Sequence, residues 1–456
     1  METTPFFILM GNDRIVIPMC AGIAFSRSVK GRCYFMNEKF DLKKAVKNDF
    51  IFTTDNAEDA LLFLQERDRS TLVTLAKDIT VTPIAPGDLR LFPEERESLK
   101  VVTHSIAEDL LPDYDADAAY EECARDTKLL ISRAKGYERY LLRPQAIPGL
   151  LKTTLTGGPG WGILQDKDNT EFAHAINCFL EVRPRDMTLI EVWGAVTGIA
   201  SDKYQYLSQY SLLEVLLLSA ASSGAKLIKF MYSHELTFAT VEFPPEKVLA
   251  YSLDKLNFDP KKAKMLMHMR TSDCSSSAAT VWIEITDGTT TLVTTCIYAV
   301  HKGVSSIQRF AEACNSAPSA AKETVDQVMA LAAYKLQFGE STIREVGKKI
   351  GISDSVMVKE IKQAKVNGIR FDDMTAYDGY LFLCGLIDSL KVNKSKTKSF
   401  CGNEELIESY IKTETKAKII TARWTDIDEE RHYKDITNLN PNVVEDPNQV
   451  SFFDEA

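Results

Sequence analysis

Asp273, Cys274 and His301 are the residues whose types and spacing come nearest to bond-making chemistry in this 456-residue chain. Thr271-Ser272-Asp273-Cys274-Ser275-Ser276-Ser277 precedes, and His301-Lys302-Gly303-Val304-Ser305-Ser306 follows, a segment that reads as a β-hairpin. Its arms are 282–286 and 292–300, with β-branched residues alternating on both, and Asp287-Gly288 supplies the turn. A hairpin returns its two ends to one place. It would therefore bring carboxylate, thiol and imidazole together, the minimum for nucleophilic or acid–base work by a hydrolase or nucleotidyl-type enzyme. Lys302-Gly303 ahead of a helix could alternatively hold an anion. A plainer account also fits: Ser, Thr and Asp are turn and cap residues, and they stand where a turn and a cap are needed.

A second constellation runs from Ser341 to Ile361 and continues to Lys365. Ser341 is expected to cap a short helix, Gly351-Ile352-Ser353 to make a tight turn, and Ser353 or Asp354 to cap a second helix. Ile343, Val346, Ile350, Ile352, Val358 and Ile361 would form the small core between the helices, with Gly347 where they approach closely. The pattern resembles a helix-turn-helix, which implies DNA as a partner. Ser355, Lys359, Lys362 and Lys365 would then face outward, able to meet phosphates or base edges. One departure stands out: Val356-Met357-Val358 is more apolar than the exposed first turn of a recognition helix should be. Two short helices joined by Gly-Ile-Ser also occur in helical domains that bind nothing.

The third stretch is Gln449-Val450-Ser451-Phe452-Phe453, which follows a polar run rich in Pro, Asn and acidic residues (440–448). A polar tether ending in Gln and apolar anchors has the form of a docking peptide. These five residues resemble the bacterial sliding-clamp-binding motif: a Gln, a small or aliphatic residue, Ser or Asp, an apolar residue, and Phe. Phe452 departs from that family, which prefers Leu there. The resemblance implies a bacterial sliding clamp as partner; the other reading has both Phe side chains folding back onto the protein. The order of hairpin, Thr-Ser-Asp cluster, His-Lys-Gly, Lys-x-Ile-Gly-Ile and Thr-Ala-Tyr-Asp-Gly-Tyr over 265–430 resembles uncharacterised phage- and plasmid-borne proteins. That likeness implies a mobile-element protein of the bacterial cytoplasm and supplies no catalytic residue.

The elements that must position these residues read as an α+β protein. A small N-terminal α+β domain is expected at 1–92, with strands within 6–55 and at 72–75 and 80–84. Between them, Thr54-Asp55-Asn56 caps a helix that carries Ala57, Ala60, Leu61 and Leu64. Pro83, Pro86, Gly87 and Pro93 mark a break. A central α+β domain with the hairpin is expected at 115–303. It opens on a helical pattern from Asp115 to Leu142, stopped by Arg143-Pro144, and has further helices near 170–182 and 203–222. A helical domain follows at 304–423, where 375–384 reads as packing, then a disordered acidic tail at 424–456. Gly157-Gly158-Pro159-Gly160-Trp161-Gly162 lacks the Lys-Ser/Thr of a P-loop and the GxGxxG spacing, and reads as a turn-rich loop.

Composition narrows the function classes. Hydrophobic residues at 45% and charged residues at 26% are ordinary for a globular protein. No apolar run approaches the roughly 20 residues that span a bilayer, and the first residues do not read as a secretory signal. Nine widely spread cysteines without a CxxC pair point to reduced thiols in a cytoplasmic compartment. The six His residues never fall in a metal-binding spacing, so neither metal nor cofactor is expected. Net charge is −10, which speaks against a viral nucleic-acid-coating protein, because a coat must neutralise many phosphates. The charge is unevenly placed. Residues 335–370 hold eight Lys/Arg against four Asp/Glu, while 425–456 hold nine Asp/Glu against two Lys/Arg. The reading that joins these observations is a phage or mobile-element protein that handles DNA close to replication and recruits the host clamp. The hydrolase or nucleotidyl-type enzyme and the coat protein are its alternatives.

Overall fold

The computed structural model describes residues 6–10, 13–17, 44–45, 47–83, 129–133, 138–154, 169–249, 253–256, 258–259, 261–274, 278–288, 290–294, 296–299, 306–392 and 404–437. The chain divides into two compact units, Met1–Leu42 and Lys43–Ala456. In the first, β1 (Phe6–Met10) and β2 (Asp13–Ile17) pair antiparallel with Met10 opposite Asp13, the tight connection that Gly11-Asn12 favours.

The second unit is built on two sheets, and the chain passes between them through two helices, one at 57–69 and one at 209–221. β3 (Ile51–Thr54) leads into α1 (Ala57–Arg69) and on to β4 (Thr71–Ala76) and β5 (Thr80–Pro83). Asn56 caps α1, accepting from the backbone N–H of Glu58 (2.9 Å) and Asp59 (3.1 Å), and acidic first-turn and basic last-turn residues suit the helix dipole. β6 (Leu129–Arg133) and β7 (Glu138–Leu142) follow, then α2 (Ile147–Thr154), α3 (Asn169–Val182), β8 (Met187–Val192) and β9 (Ala195–Ser201). Next come α4 (Gln209–Ala221), β10 (Lys226–Ser233), β11 (Thr237–Glu242), α5 (Pro245–Leu249), β12 (Lys264–Thr271) and β13 (Ala279–Thr286). β14 (Thr291–Val293) and β15 (Ile297–Ala299) close the β part.

One sheet has the order β14-β13-β12-β11-β10-β3, with β15 also on β13; the other has β4-β8-β9-β7-β6-β5. All pairs are antiparallel except β7–β9. α1 therefore joins an edge strand of one sheet to an edge strand of the other. The strands at 51–76 are completed by strands from much later in the chain: β3 pairs with β10 and β4 with β8.

Period-two patterning sets the first sheet. Met265, Met267 and Met269 on β12 lie opposite Ile285, Ile283 and Val281 on β13, and all six are buried. On the opposite parity, Trp282 gathers Phe238, Val293 and Cys296 with Ala417 and Ile411 of a late helix. The second sheet buries Val81, Leu129, Ile131, Leu142 and Leu189 with Ile147 and Leu150 of α2 and Phe172 and Ile176 of α3.

The helical part comprises α6 (Ser306–Ala333), α7 (Gly339–Lys349), α8 (Asp354–Val366), α9 (Ala376–Ser389), α10 (Glu404–Ile420) and α11 (Trp424–Thr437). α9 starts on a capping box of Thr375 and Asp378 and ties these helices to the first sheet. Tyr377 and Tyr380 donate to the Leu256 and Thr291 carbonyls, each at 2.8 Å. No described helix is long and apolar enough to cross a membrane.

The α+β class holds, and three local expectations change. The helical pattern extended to Leu142 is instead strand at 129–133 and 138–142. Its Leu-Leu-Ile and Tyr-Leu-Leu runs are short, contain β-formers, and find sheet partners in β5 and β9. The second hairpin arm is two short strands, β14 and β15, rather than one. The first part of the expected acidic tail is helix α11, which buries Trp424 and Ile427. The loop at 157–162 lies outside the described residues.

Where the sheets meet, Arg67 of α1 and Asp273, just past β12, form an ion pair with both side chains 2% exposed. Removing one partner of such a pair strands a charge, at a cost of about 3–5 kcal/mol. Arg67→Ala should lose that much in urea denaturation, whereas Arg67→Met with Asp273→Leu should recover most of it. A single variant as stable as the parent would show that the pair does not hold the sheets.

Candidate functional site

Asp273 and Cys274 follow β12 and are buried. Asp273 Oδ2 accepts from Arg67 Nη2 and from Gln209 Nε2 (2.7 Å), and Gln209 Oε1 accepts from Thr237 Oγ1. Arg67 Nη1 donates to Asp68 Oδ1 (2.8 Å) and Tyr206 OH (2.6 Å). Asp68 Oδ2 takes Ser208 Oγ (2.6 Å) and the Tyr210 N–H (3.1 Å) at the start of α4. The Arg67 guanidinium also lies 5.8 Å from the Tyr232 ring centroid.

Cys274 is 4% exposed, and its thiol donates to the Thr197 (3.0 Å) or His234 (3.1 Å) carbonyl. Burial, then the Glu235 and Asp273 carboxylates, push that thiol well above its usual range, so it stays protonated. Burial, then Arg143, similarly hold His234 well below the usual imidazole range, as a neutral ring against the Ala45 carbonyl. This cluster joins the two sheets by hydrogen bonds. It places Asp273 beside a fixed guanidinium rather than beside a base, and His301 lies outside the described residues.

The second candidate is α7 and α8. Ile343, Val346, Ile350, Ile352 and Ile361 are buried as expected. Gly351 takes φ +92° in the connection, and Ser353 caps α8 by accepting from the Val356 N–H. Gly347 is where the helices touch: a Cβ there would lie 2.5 Å from Met357 Sδ.

The phase of α8 differs from expectation in one respect. Val356 and Met357 are buried and Val358 is 46% exposed. Starting the helix at Asp354 turns 357, 361 and 364 onto α7 and rotates 358 away. Two of the three apolar residues in the first turn are thereby accounted for as core. Ser355, Lys359, Lys362 and Lys365 are all exposed. Lys365 pairs with Glu340 of α7, while Lys359 and Lys362 have no ion-pair partner among the described residues. Arg344 of α7 holds Asp354 through Nε and Nη2, and its hydrogen bonds keep that carboxyl below the usual range. The pair fixes the angle at which α8 leaves the turn.

Ser341 does not cap α7, which begins two residues earlier; its hydroxyl bonds back to the Phe338 carbonyl at 3.2 Å. The cap comes from α11. Asp428, 1% exposed, accepts from the Gln337 N–H (2.8 Å), the Phe338 N–H (3.0 Å), Thr342 Oγ1 (2.6 Å) and Tyr334 OH (3.2 Å). Burial and then that carboxylate push the Tyr334 phenol up to about 12. Asp428, Arg67 and Gln209 carried no local signal in the sequence, because each acts on a partner far along the chain. Gln449, Val450, Ser451, Phe452 and Phe453 lie outside the described residues.

No family model, curated protein or solved structure matches this chain.

Losing the Asp428 carboxylate leaves the Gln337 and Phe338 amides just ahead of α7, and the Thr342 hydroxyl, without their acceptor. Asp428→Ala should cost about 2–4 kcal/mol in equilibrium unfolding, above an ordinary N-cap because two backbone donors and two hydroxyls are released together. Asp428→Asn, which keeps one carbonyl oxygen, should cost less. A change below about 1 kcal/mol for Asp428→Ala would mean that other groups replace the cap.

Proposed function

We propose that this protein binds DNA through α7, the turn and α8, and that Gln449, Phe452 and Phe453 recruit a bacterial sliding clamp, as a phage or mobile-element protein acting near replication. The observation that carries the DNA half is the outer side of α8. Ser355, Lys359 and Lys362 are exposed together, and Val356, Met357, Ile361 and Ala364 of the same helix are buried. Lys348 and Lys349 in the last turn of α7 add positive charge beside the turn. The clamp half rests on the sequence resemblance of residues 449–453.

The enzyme alternative draws less support. Its thiol is buried and protonated, and its carboxylate is engaged by Arg67 and Gln209. The coat alternative is weighed down by the net charge of −10.

Phosphate contacts by the two lysines should appear as salt dependence. Lys359→Ala with Lys362→Ala should weaken binding of the full chain to a mixed-sequence duplex. The slope of log affinity against log salt should become shallower by about 2, close to one counterion per phosphate contact. An unchanged slope, or no binding by the parent protein at low salt, retires the DNA reading.

For the clamp, burying Phe452 and Phe453 contributes about 1.5–3 kcal/mol each, and ordering the peptide takes back much of it. A peptide of residues 445–456 should bind a bacterial clamp with micromolar Kd, on the order of 8 kcal/mol. Gln449→Ala with Phe453→Ala should remove that binding, and Val450→Ala should barely alter it. If truncation after Asn448 leaves clamp capture by the full chain undiminished, recruitment does not run through this motif.

A further inference from the structure

The outer side of α8 exposes two valines that phosphate binding does not explain, Val358 and, at the C-terminal end, Val366 (75% exposed); only Val358 lies in the N-terminal half. Val356, Met357, Ile361 and Ala364 are 4, 0, 3 and 6% exposed, so the stripe that docks α8 on α7 is complete without Val358. Val358 is 46% exposed. It stands one turn after Ser355 and one turn before Lys362, with Lys359 beside it. A single exposed valine is ordinary on a protein surface, and its exposure alone decides nothing. Its place does. Val358 is the fifth residue of the helix, in the N-terminal half that a helix-turn-helix presents to base edges, and lysines flank it where phosphates would fix the register.

An α-helix fits the major groove of B-form DNA, roughly 12 Å wide, and the apolar feature on the base edges there is the thymine 5-methyl group. The minor groove presents no such methyl, and the A-form major groove is too deep and narrow for side chains to read. Resting on the DNA-binding reading of α8, we propose that Val358 is a specificity-determining residue that packs against a thymine methyl in the major groove. The preferred ligand is then thymine-containing B-form duplex rather than double-stranded RNA.

The test compares the full chain on alternating poly(dA-dT) duplex and on poly(dA-dU) duplex, which differ only in that methyl, by fluorescence anisotropy at one salt concentration. The parent protein should bind the thymine duplex roughly fourfold more tightly, the factor that burying one methyl supplies. Val358→Ala should make the two affinities equal while leaving the melting temperature and the salt slope unchanged. Val358→Thr, which keeps a methyl on a β-branched side chain, should retain a preference. Binding to both duplexes with equal affinity would overturn the role of Val358 and leave DNA binding standing. So would a thymine preference that survives Val358→Ala. No binding to either duplex, nor to the mixed-sequence duplex, removes the DNA reading itself.

Discussion

The buried pair of Arg67 and Asp273 is the constraint on which the β part of this protein depends. The chain crosses between the two sheets through α1 and returns through α4, and Arg67 near the end of α1 reaches Asp273, just past β12 and 206 positions later. An ion pair of this depth is not a large net source of stability, because desolvating both groups offsets most of their attraction. What it fixes is geometry. Gln209, itself held by Thr237, donates to Asp273 Oδ2, and Arg67 Nη1 donates to Asp68 and Tyr206, while Asp273 Oδ1 and Arg67 Nε are buried without a partner among the described residues. These hydrogen bonds tie helices α1 and α4 and strands β11 and β12 to one mutual arrangement. Phe63, the largest hydrophobic residue of α1, packs beside them, stacked on Phe52 at 4.3 Å and edge-on to Trp193 at 6.0 Å.

A different carboxylate does the corresponding job in the helical part. α7 begins without a side-chain cap of its own, and Asp428 reaches in from α11 to hold the Gln337 and Phe338 amides just ahead of it and the Thr342 hydroxyl in its first turn. α8 takes its main support from α7, through Gly347 and Met357 and the Arg344–Asp354 pair. The direction in which Ser355, Val358, Lys359 and Lys362 project is therefore set in steps, from α11 to α7 to α8. A surface that recognises a rigid ligand needs this kind of support, because side chains on a poorly held helix lose affinity to ordering.

Local physics was legible in the sequence and long-range pairing was not. The Asn56 cap, the Ser353 cap, the helix at 375–384 and the strand at 282–286 each depend on neighbours within four residues or on a period of two. They came out as read. Val358 was misplaced because apolar type was taken as core, when a helix starting at Asp354 buries Met357 instead. Residues 129–142 were misread because a mixed apolar pattern does not separate a short strand from part of a helix. The polar cluster after β12 had the right residues with a different role. Asp273 looked like a reacting group from its Ser- and Cys-rich surroundings, and only the distant Arg67 makes it an anchor. Asp428, lying in what reads as an acidic tail, had nothing to mark it as a cap.

The uneven charge acquires meaning from that arrangement. α8 exposes Lys359 and Lys362, whereas α11 exposes Asp426, Glu429 and Glu430, and both helices pack on α7. One short helix thus stands between a basic and an acidic surface. A polyanion approaching this part of the molecule is drawn to α8 and repelled by α11, over distances set by the Debye length, about 10 Å at 0.1 M salt. The net charge of −10 keeps most of the remaining surface from competing. Positive charge concentrated on one helix differs from what a protein that coats nucleic acid needs, which is positive charge along its whole contact path.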